Sequence, residues 1–254
     1  MGNKNLGQLL IIIPCYNEYS RLPISEIQNF LTKETKATLF FIDDASTDNT
    51  IGRIEALEKQ FPAKVLKLSN SKNLGKAESI RKVVRYCLAH NIGENFAYLD
   101  ADLATSLEEC YSYLQFLEDG KTFVFASRIL KIGSIVERKF SRFLSGRVIA
   151  SFISNILDIK VYDTQCGCKL FTANIAKLTF DKPFISKWLF DVEIFSRMLT
   201  HYGKPKALAL MAEIPVKKWI DKGDSKVKLS YFFRLWVDLY RIWSSHRKNL
   251  SLNE

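Results

Sequence analysis

The chain has 254 residues, 47% hydrophobic and 25% charged, which is the balance of a globular protein that buries a core. It lacks an 18-residue apolar run, so no membrane-spanning helix is predicted, and its five cysteines have neither zinc-site spacing nor a paired framework. The net charge of +10 is concentrated in residues 121–254, which carry 24 Lys/Arg and 11 Asp/Glu, and predicts an anionic partner. Phosphates or lipid head groups fit better than nucleic acid, because no nucleic-acid-binding motif is present.

Along the first half of the chain, short apolar runs alternate with segments of helical spacing. The predicted strands are 9–13, 39–42, 65–68, 96–99 and 123–126. The predicted helices are 24–31, 48–60, 75–90, 140–157, one that follows Phe190, and 230–246. Strand–helix alternation is typical of a parallel sheet covered by helices on both faces. The sequence thus predicts an α/β, Rossmann-like fold with a mostly parallel central sheet, followed by C-terminal amphipathic helices.

The last predicted helix divides into an apolar and a polar face. The apolar face comprises Phe232, Leu235, Trp236, Leu239, Tyr240 and Trp243, and the opposite face comprises Arg234, Asp238 and Arg241. Such a helix packs in a core, joins a homodimer or lies on a membrane, and the pattern leaves these alternatives open. We predict two units: a catalytic domain over 1–228 and a basic amphipathic helix over 229–254.

Polar clusters directly follow three of the predicted strands. They are Tyr16-Asn17-Glu18, Asp43-Asp44 and Asp100-Ala101-Asp102. Ligands of parallel sheets bind beyond the carboxyl ends of the strands, where these clusters would meet. Asp100 and Asp102 then suit a divalent cation that also binds a diphosphate, although two solvated loop aspartates would give the same pattern.

Two further segments allow both a structural and a binding interpretation. Asp44 could contact a nucleotide base or ribose, whereas Ser46 or Asp48 could simply cap the next helix. The segment Asn73-Leu74-Gly75-Lys76 begins a helix, where backbone N–H groups and a lysine suit phosphate.

The ordered motifs resemble those of family-2 glycosyltransferases with the GT-A fold. They are Pro14-x-Tyr16-Asn17-Glu18, Asp43-Asp44-x-Ser46-x-Asp48-x-Thr50, Asn73-x-Gly75-Lys76 and Asp100-x-Asp102. Further segments resemble the dolichyl- and polyprenyl-phosphate β-glucosyltransferases and extend the similarity to about residue 228. These are 100–105, Ser127-Arg128, 163–171, 190–193 and Trp219 with 223–226.

This resemblance implies roles for the matching residues. The donor-binding set is Pro14, Tyr16, Asn17, Glu18, Ile42, Asp44, Asn73, Gly75, Lys76, Asp100 and Ala101, with Asp100 and Asp102 as metal ligands. The implied catalytic set is Asp102, Asp163, Arg128, Arg142 and Lys169. Arg128 and Arg142 would meet phosphates, and Asp163 would bond the sugar or act as a base.

The resemblance also implies a reaction, a cofactor and a location. A hexose, glucose by the branch it resembles, would pass with inversion from UDP-glucose or a related nucleotide sugar to a polyprenyl phosphate, with Mg²⁺ or Mn²⁺. The N-terminal anchor of the eukaryotic enzymes has no counterpart, which implies a peripheral enzyme on the cytoplasmic, inner face of the cell membrane. Ala104 favours the glucosyl branch, whereas Cys168 replaces a usual aromatic residue and leaves the acceptor open.

Two other functions remain compatible with the same residues. A saccharide acceptor in cell-surface polysaccharide synthesis would need Asp163, Asp191 or Glu193 to deprotonate a hydroxyl. A non-catalytic nucleotide-binding protein would keep the fold without the reaction.

Overall fold

The computed structural model describes residues 8–33, 36–137, 140–221 and 230–251, without the side chains of 140–142, 230–233 and 249–251. The strands are β1 Leu9–Cys15, β2 Ala37–Asp43, β3 Val65–Ser69, β4 Asn95–Leu99, β5 Phe123–Ser127, β6 Ile135–Glu137, β7 Cys168–Thr172, β8 Met211–Pro215 and β9 Lys218–Ile220. The helices are α1 Ile24–Thr32, α2 Thr50–Gln60, α3 Lys76–Ala89, α4 Leu107–Ser112, α5 Leu114–Glu118, α6 Phe140–Leu157, α7 Ala173–Phe180, α8 Phe190–Tyr202, α9 Lys204–Leu210 and α10 Ser230–Ser251.

Seven strands form one sheet in the order β3-β2-β1-β4-β7-β5-β8. The strands β3, β2, β1 and β4 are mutually parallel, and β5 and β8 are parallel to each other. Strand β7 runs antiparallel to both β4 and β5, between which it lies. The predicted α/β fold with a mostly parallel sheet is therefore confirmed, and β7 is an inner strand that the apolar pattern did not predict.

Alternating side chains of the buried strands build a core on each face of the sheet. Leu10, Ile12 and Tyr98 belong to the core on one face, whereas Leu9, Ile11 and Ile13 belong to the core on the other face. Because successive strand residues point to opposite faces, nearly continuous apolar strands need helices on both sides. This double covering leaves the strand ends as the place where polar groups gather.

Helix α10 packs against α8 and α6, and its buried face agrees with the predicted apolar face only in part. Leu235, Leu239 and Ile242 lie in the core, and Asp238 lies there with them, accepting a 2.7 Å hydrogen bond from Ser186 Oγ. Tyr240 is 64% exposed. The prediction that Asp238 lies opposite the buried face was wrong, because Ser186 supplies a polar partner at that position.

Candidate active site

The predicted polar clusters meet at one edge of the sheet. Strands β1, β2 and β4 are parallel neighbours, so the residues that follow Cys15, Asp43 and Leu99 share this edge. The cluster after β1 is joined by hydrogen bonds to the turn that follows Asp43-Asp44. Asn17 Oδ1 accepts from the Thr47 N–H at 2.8 Å, and Asn17 N–H donates to Ser46 Oγ at 3.0 Å.

Backbone strain accompanies this junction. Ala45 has φ of 59°, in the left-handed region that costs such a residue about 1 kcal/mol or more, and Asn17 has φ of 52°, which asparagine tolerates better. Glu18 N–H donates to Thr50 Oγ1 at 2.8 Å, which ties the same turn to the start of α2. The turns after β1 and β2 therefore hold each other in shape before any ligand arrives.

Asp44 connects β2 to the loop before α3. Its carboxylate accepts from the Leu74 and Gly75 N–H groups, both at 2.8 Å, and from Asn70 Nδ2 at 2.7 Å. Gly75 has φ of +87°, a conformation that glycine adopts without strain. Asp44 is 3% exposed, so its structural role is to shape the loop that carries Asn73 and Lys76.

Asp100 and Asp102 lie in a turn just beyond β4 rather than in the strand itself. Leu103 N–H donates to Asp100 O at 3.0 Å, and Ala104 N–H donates to Asp102 Oδ1 at 3.0 Å. Each carboxylate also meets a cation: Lys76 Nζ is 2.5 Å from Asp100 Oδ1, and Arg21 Nη2 is 3.4 Å from Asp102 Oδ2. Burial and the neighbouring Asp100 raise the pKa of Asp102.

The donor atoms at this turn fit a divalent cation only in part. Within the ranges that the structure describes, no group of three or more His, Cys, Asp or Glu side chains could hold a metal. Asp100 and Asp102 therefore offer two carboxylates, and phosphate and water oxygens would have to complete the coordination. Mg²⁺ in phosphate-transfer sites is commonly bound in this way.

Lys76 remains a cation in this setting. Its Nζ lies 5.7 Å from the ring centre of Tyr98 and 5.8 Å from that of Phe190. Burial opposes its charge, but Asp100, Asp191 and Asp102 outweigh that effect and raise the pKa of Lys76. Lys76 thus supplies a fixed positive charge beside Asp100.

A second ion pair, between Arg128 and Asp163, lies beyond β5. Arg128 Nε and Nη2 donate to the two carboxylate oxygens of Asp163 at 2.6 and 2.9 Å, and Gln165 N–H donates at 3.0 Å. Burial opposes ionisation of Asp163, but Arg128 outweighs it and lowers its pKa to about 2. Asp163 is therefore a weak base that fixes the guanidinium of Arg128.

Lys169 and Asp191 form a third ion pair, which is fully buried. Lys169 Nζ is 2.7 Å from Asp191 Oδ1 and donates to Cys166 O at 2.5 Å, while Tyr98 OH also donates to Asp191. Lys169 is 0% exposed, so the structure places it beneath the sheet edge rather than on the surface of the site. Glu193 is likewise engaged, because it accepts from the Ile185 and Ser186 N–H groups at 2.9 Å.

Comparison with known proteins identifies the family. Residues 10–179 match the family described as "Glycosyl transferase family 2". The chain belongs to this family. It is 30% identical, over 94% of its length, to the dolichyl-phosphate beta-glucosyltransferase ALG5A of Trichomonas vaginalis, of which it covers 74%. It is 34% identical, over 74% of its length, to a dolichyl-phosphate beta-glucosyltransferase of Mus musculus, of which it covers 61%.

Solved structures agree with this assignment at the level of the fold. Glucosyl-3-phosphoglycerate synthase from Mycobacterium tuberculosis, crystallised with Mn²⁺, UDP-glucose and phosphoglyceric acid, superposes with a TM-score of 0.63 at 15% identity. The match covers 94% of this chain and 80% of that protein. The predicted membership of family 2 with a GT-A fold is confirmed, and the chain is a hexosyltransferase.

The structure of this family-2 glycosyltransferase places the remaining predicted residues as follows. Pro14 and Ile42 are paired across β1 and β2, and the Ile42 side chain lies in the core, so only its backbone can face a donor. Tyr16 is 38% exposed, whereas Glu18 and Ala101 are buried. The side chain of Arg142 and residues 223–226 lie outside the described residues. Direct contacts of this set with a donor or acceptor stay predictions.

Arg21 is a residue of the site that the sequence did not single out. It lies three positions after Glu18, and its Nε is 3.7 Å from Glu18 Oε2. Its contact with Asp102 spans 81 positions in sequence, so it depends on the fold. The spacing from Glu18 was the available signal, and it does not distinguish a site residue from an ordinary surface pair.

Proposed function

We propose that this glycosyltransferase moves glucose, with inversion, from UDP-glucose or a related nucleotide sugar to a polyprenyl phosphate such as dolichyl phosphate. The observation that carries the choice of acceptor is the engagement of Asp163, Asp191 and Glu193 by internal partners. A saccharide hydroxyl would need one of them as a base. The relatives named as dolichyl-phosphate beta-glucosyltransferases support the same acceptor.

A phosphate acceptor needs no such base. With a second pKa of about 6, a phosphate monoester is already an anion near neutral pH. One of its oxygens forms a bond to the anomeric carbon while the bond from that carbon to the diphosphate breaks, and the nucleoside diphosphate departs with the electron pair. The protein then has to align the two phosphates and stabilise the charge that develops on the leaving group.

The described residues suit these two tasks. Lys76 presents a fixed ammonium at the diphosphate end, and Arg21 lies beside Asp102 with its side chain 25% exposed. Arg128, held by Asp163 and lying 5.2 Å from the ring centre of Trp219, offers a guanidinium on the acceptor side. A divalent cation held by Asp100 and Asp102 would supply Lewis-acid stabilisation of the diphosphate.

The test combines a donor and acceptor screen with one substitution. We expect Mg²⁺- or Mn²⁺-dependent formation of a glucosyl polyprenyl phosphate, detected by mass spectrometry, and no transfer to oligosaccharide acceptors. We expect Asp102→Asn to lower kcat by about 100-fold or more, because charge stabilisation of the leaving group is lost. The matched control is Asp119→Asn, whose side chain is exposed in the turn after α5.

Product on saccharides alone would instead establish the alternative acceptor. Near-normal turnover of the Asp102→Asn variant in the presence of EDTA would remove the proposed metal role. Wild-type protein that neither transfers nor hydrolyses any nucleotide sugar would contradict the proposed reaction.

We further propose that the enzyme acts as a peripheral protein on the cytoplasmic face of an anionic membrane. Among the residues that the structure describes, no helix has both the length and the apolar character needed to cross a bilayer. Helices α6 and α10 instead share an exposed apolar surface, here called the apolar patch. It comprises Leu144, Val148, Phe152, Trp236 and Tyr240.

The apolar patch spans both helices, and α10 also carries exposed positive charge. The rings of Phe152 and Trp236 meet edge to face, with centroids 4.8 Å apart, which joins the two helices. The exposed basic residues of α10 are Arg234, Arg241, Arg247 and Lys248. Exposed aromatic and aliphatic side chains on a helix that also carries exposed basic residues suit the acyl boundary and head groups of an anionic leaflet. A homodimer through the same patch is the competing outcome.

A further inference from the structure

Just before strand β7, a glycine lies against one of the two carboxylates proposed to bind the metal. In the antiparallel ladder Leu99 pairs with Cys168, so the next position places Gly167 opposite Asp100. A Cβ atom built on Gly167 would lie 3.0 Å from Asp100 Oδ1, and nearer still to Cγ and Oδ2. The carboxylate of Asp100 therefore occupies the space that any side chain at position 167 would need.

The requirement for glycine here is spatial. Gly167 does not have a positive φ, so an alanine at this position would not be strained in its backbone conformation. By contrast, Gly75 of the same site has φ of +87°. What excludes a side chain at position 167 is the position of Asp100.

The backbone around Gly167 has little room to retreat. Cys166 and Cys168 are both 0% exposed and belong to the core on one face of the sheet. Cys166 O accepts the 2.5 Å hydrogen bond from buried Lys169, and Cys168 is paired within the ladder. When a new methyl group and a carboxylate compete for one space, the carboxylate at the end of a rotatable side chain is the part that moves.

We propose that Gly167 is a positioning residue of the metal site, which keeps the space in which the Asp100 carboxylate reaches both the cation and Lys76. This inference rests on the proposed function, because it takes Asp100 as a metal ligand. Rotating Asp100 to another staggered conformation would carry its oxygens away from Lys76, which is now 2.5 Å distant, and from the ion shared with Asp102. The loop that precedes β7 and the turn after β4 would thus form the metal site together.

The test is Gly167→Ala, with Gly146→Ala as the matched control. Gly146 lies in α6 with nothing within 4 Å of an added Cβ. Binding of Mn²⁺ is measured by the loss of its free electron paramagnetic resonance signal in the presence of UDP. We expect Gly167→Ala to weaken Mn²⁺ binding by about 10- to 100-fold, the usual effect of disturbing a residue that orients a metal ligand. The control should bind as wild type does, and both variants should keep UDP binding in EDTA.

A folded Gly167→Ala variant that binds Mn²⁺ as tightly as wild type would overturn the proposal. If this variant is unstable, its thermal unfolding is compared in the wild-type and Asp100→Ala backgrounds. Removing the Asp100 carboxylate should relieve the loss of stability. An equal loss in both backgrounds would show that the backbone itself needs glycine and would also overturn the proposal. Wild-type protein that takes up no Mn²⁺ with UDP would contradict the proposed function instead, and the stability comparison would still test the contact.

Discussion

At the residue scale, the site consists of ion pairs that sequence motifs located but did not pair. Asp100 and Asp102 were identifiable because they directly follow a strand in a recognisable order of motifs. Their partners Lys76 and Arg21 were not identifiable, because these contacts depend on how distant turns meet at the sheet edge. The base role considered for Asp163 illustrates the same limit, since its bidentate partner Arg128 lies 35 positions away.

The pair of Arg128 with Asp163 yields a stability prediction. Arg128→Met would leave a buried carboxylate without its guanidinium, which costs roughly 3–5 kcal/mol of unfolding free energy at pH 7. The folded pKa of Asp163 is lowered to about 2 from an ordinary value of 3.8. The pair therefore stabilises the fold at pH values above 3.8, and this stabilisation is lost as the pH falls towards 2. Urea midpoints measured from pH 7 downwards should show the difference between variant and wild type shrinking below pH 4.

The control for this prediction is Arg53→Met. Arg53 lies over the ring of exposed Tyr19, 4.2 Å from its centre, and this contact involves no buried carboxylate. A loss of stability as large in this control as in Arg128→Met would contradict the assignment of the effect to Asp163.

At the element scale, the sequence pattern predicted β1 to β5 and missed β7, as well as β8 and the short pair of β6 and β9. Four of the five predicted strands are buried apolar runs, which is what a sheet covered on both faces requires, and the outer strand β3 is partly buried. Strand β7 has only five residues, and Lys169 interrupts its apolar run. That lysine is tolerated because Asp191 of α8 neutralises it, and α8 comes later in the chain. The buried face of α10 was misjudged for a similar reason, since Ser186 satisfies Asp238.

Helix α10 also carries a histidine that makes its docking sensitive to pH. His246 Nδ1 lies 2.9 Å from Ser196 Oγ of α8, and burial lowers the pKa of His246. The unfolded chain therefore takes up a proton near pH 6.5 more readily than the folded chain does, so acidification through this value removes stability. We expect protection of α10 amides from hydrogen exchange to fall between pH 7.5 and about 5.5.

The variant His246→Gln cannot be protonated in this range. In it, α10 should lose this pH dependence, while exchange in α2, whose buried apolar residues belong to the core on the other face of the sheet, serves as the internal control. A wild-type α10 whose protection stays constant down to pH 5.5, after correction for intrinsic exchange rates, would contradict the prediction.

At the scale of the whole molecule, charge and exposed apolar area coincide in the second half of the chain. The excess of Lys and Arg after residue 120 and the apolar patch of α6 and α10 together suit an anionic membrane surface. The composition of the sequence predicted the excess of positive charge in this half of the chain. It did not predict which side chains are exposed, because that depends on how α10 packs against α8.

The substitutions Trp236→Ser and Tyr240→Ser test the membrane contact. Together they should lower flotation with phosphatidylserine-containing vesicles by about tenfold or more, since two large exposed aromatic groups leave the interface. Transfer to a short, water-soluble polyprenyl phosphate should be preserved. Leu208→Ser, which changes an exposed apolar residue of α9 outside the patch, is the control. Unchanged flotation combined with loss of a dimer in ultracentrifugation would assign the patch to self-association.

The hydrogen bond between Ser186 and Asp238 has a consequence for any shortened form of this enzyme. Ser186 Oγ also accepts from the Trp188 and Leu189 N–H groups just before α8, and the adjacent Lys187 lies 3.6 Å from the position of a Cβ on Gly75. Helix α10 therefore braces the segment that borders the loop before α3, which is proposed to bind the donor. A chain cut before residue 230 would lose this brace as well as the proposed membrane contact, so reduced catalysis in such a chain would report a loosened loop before α3 as readily as a missing membrane contact.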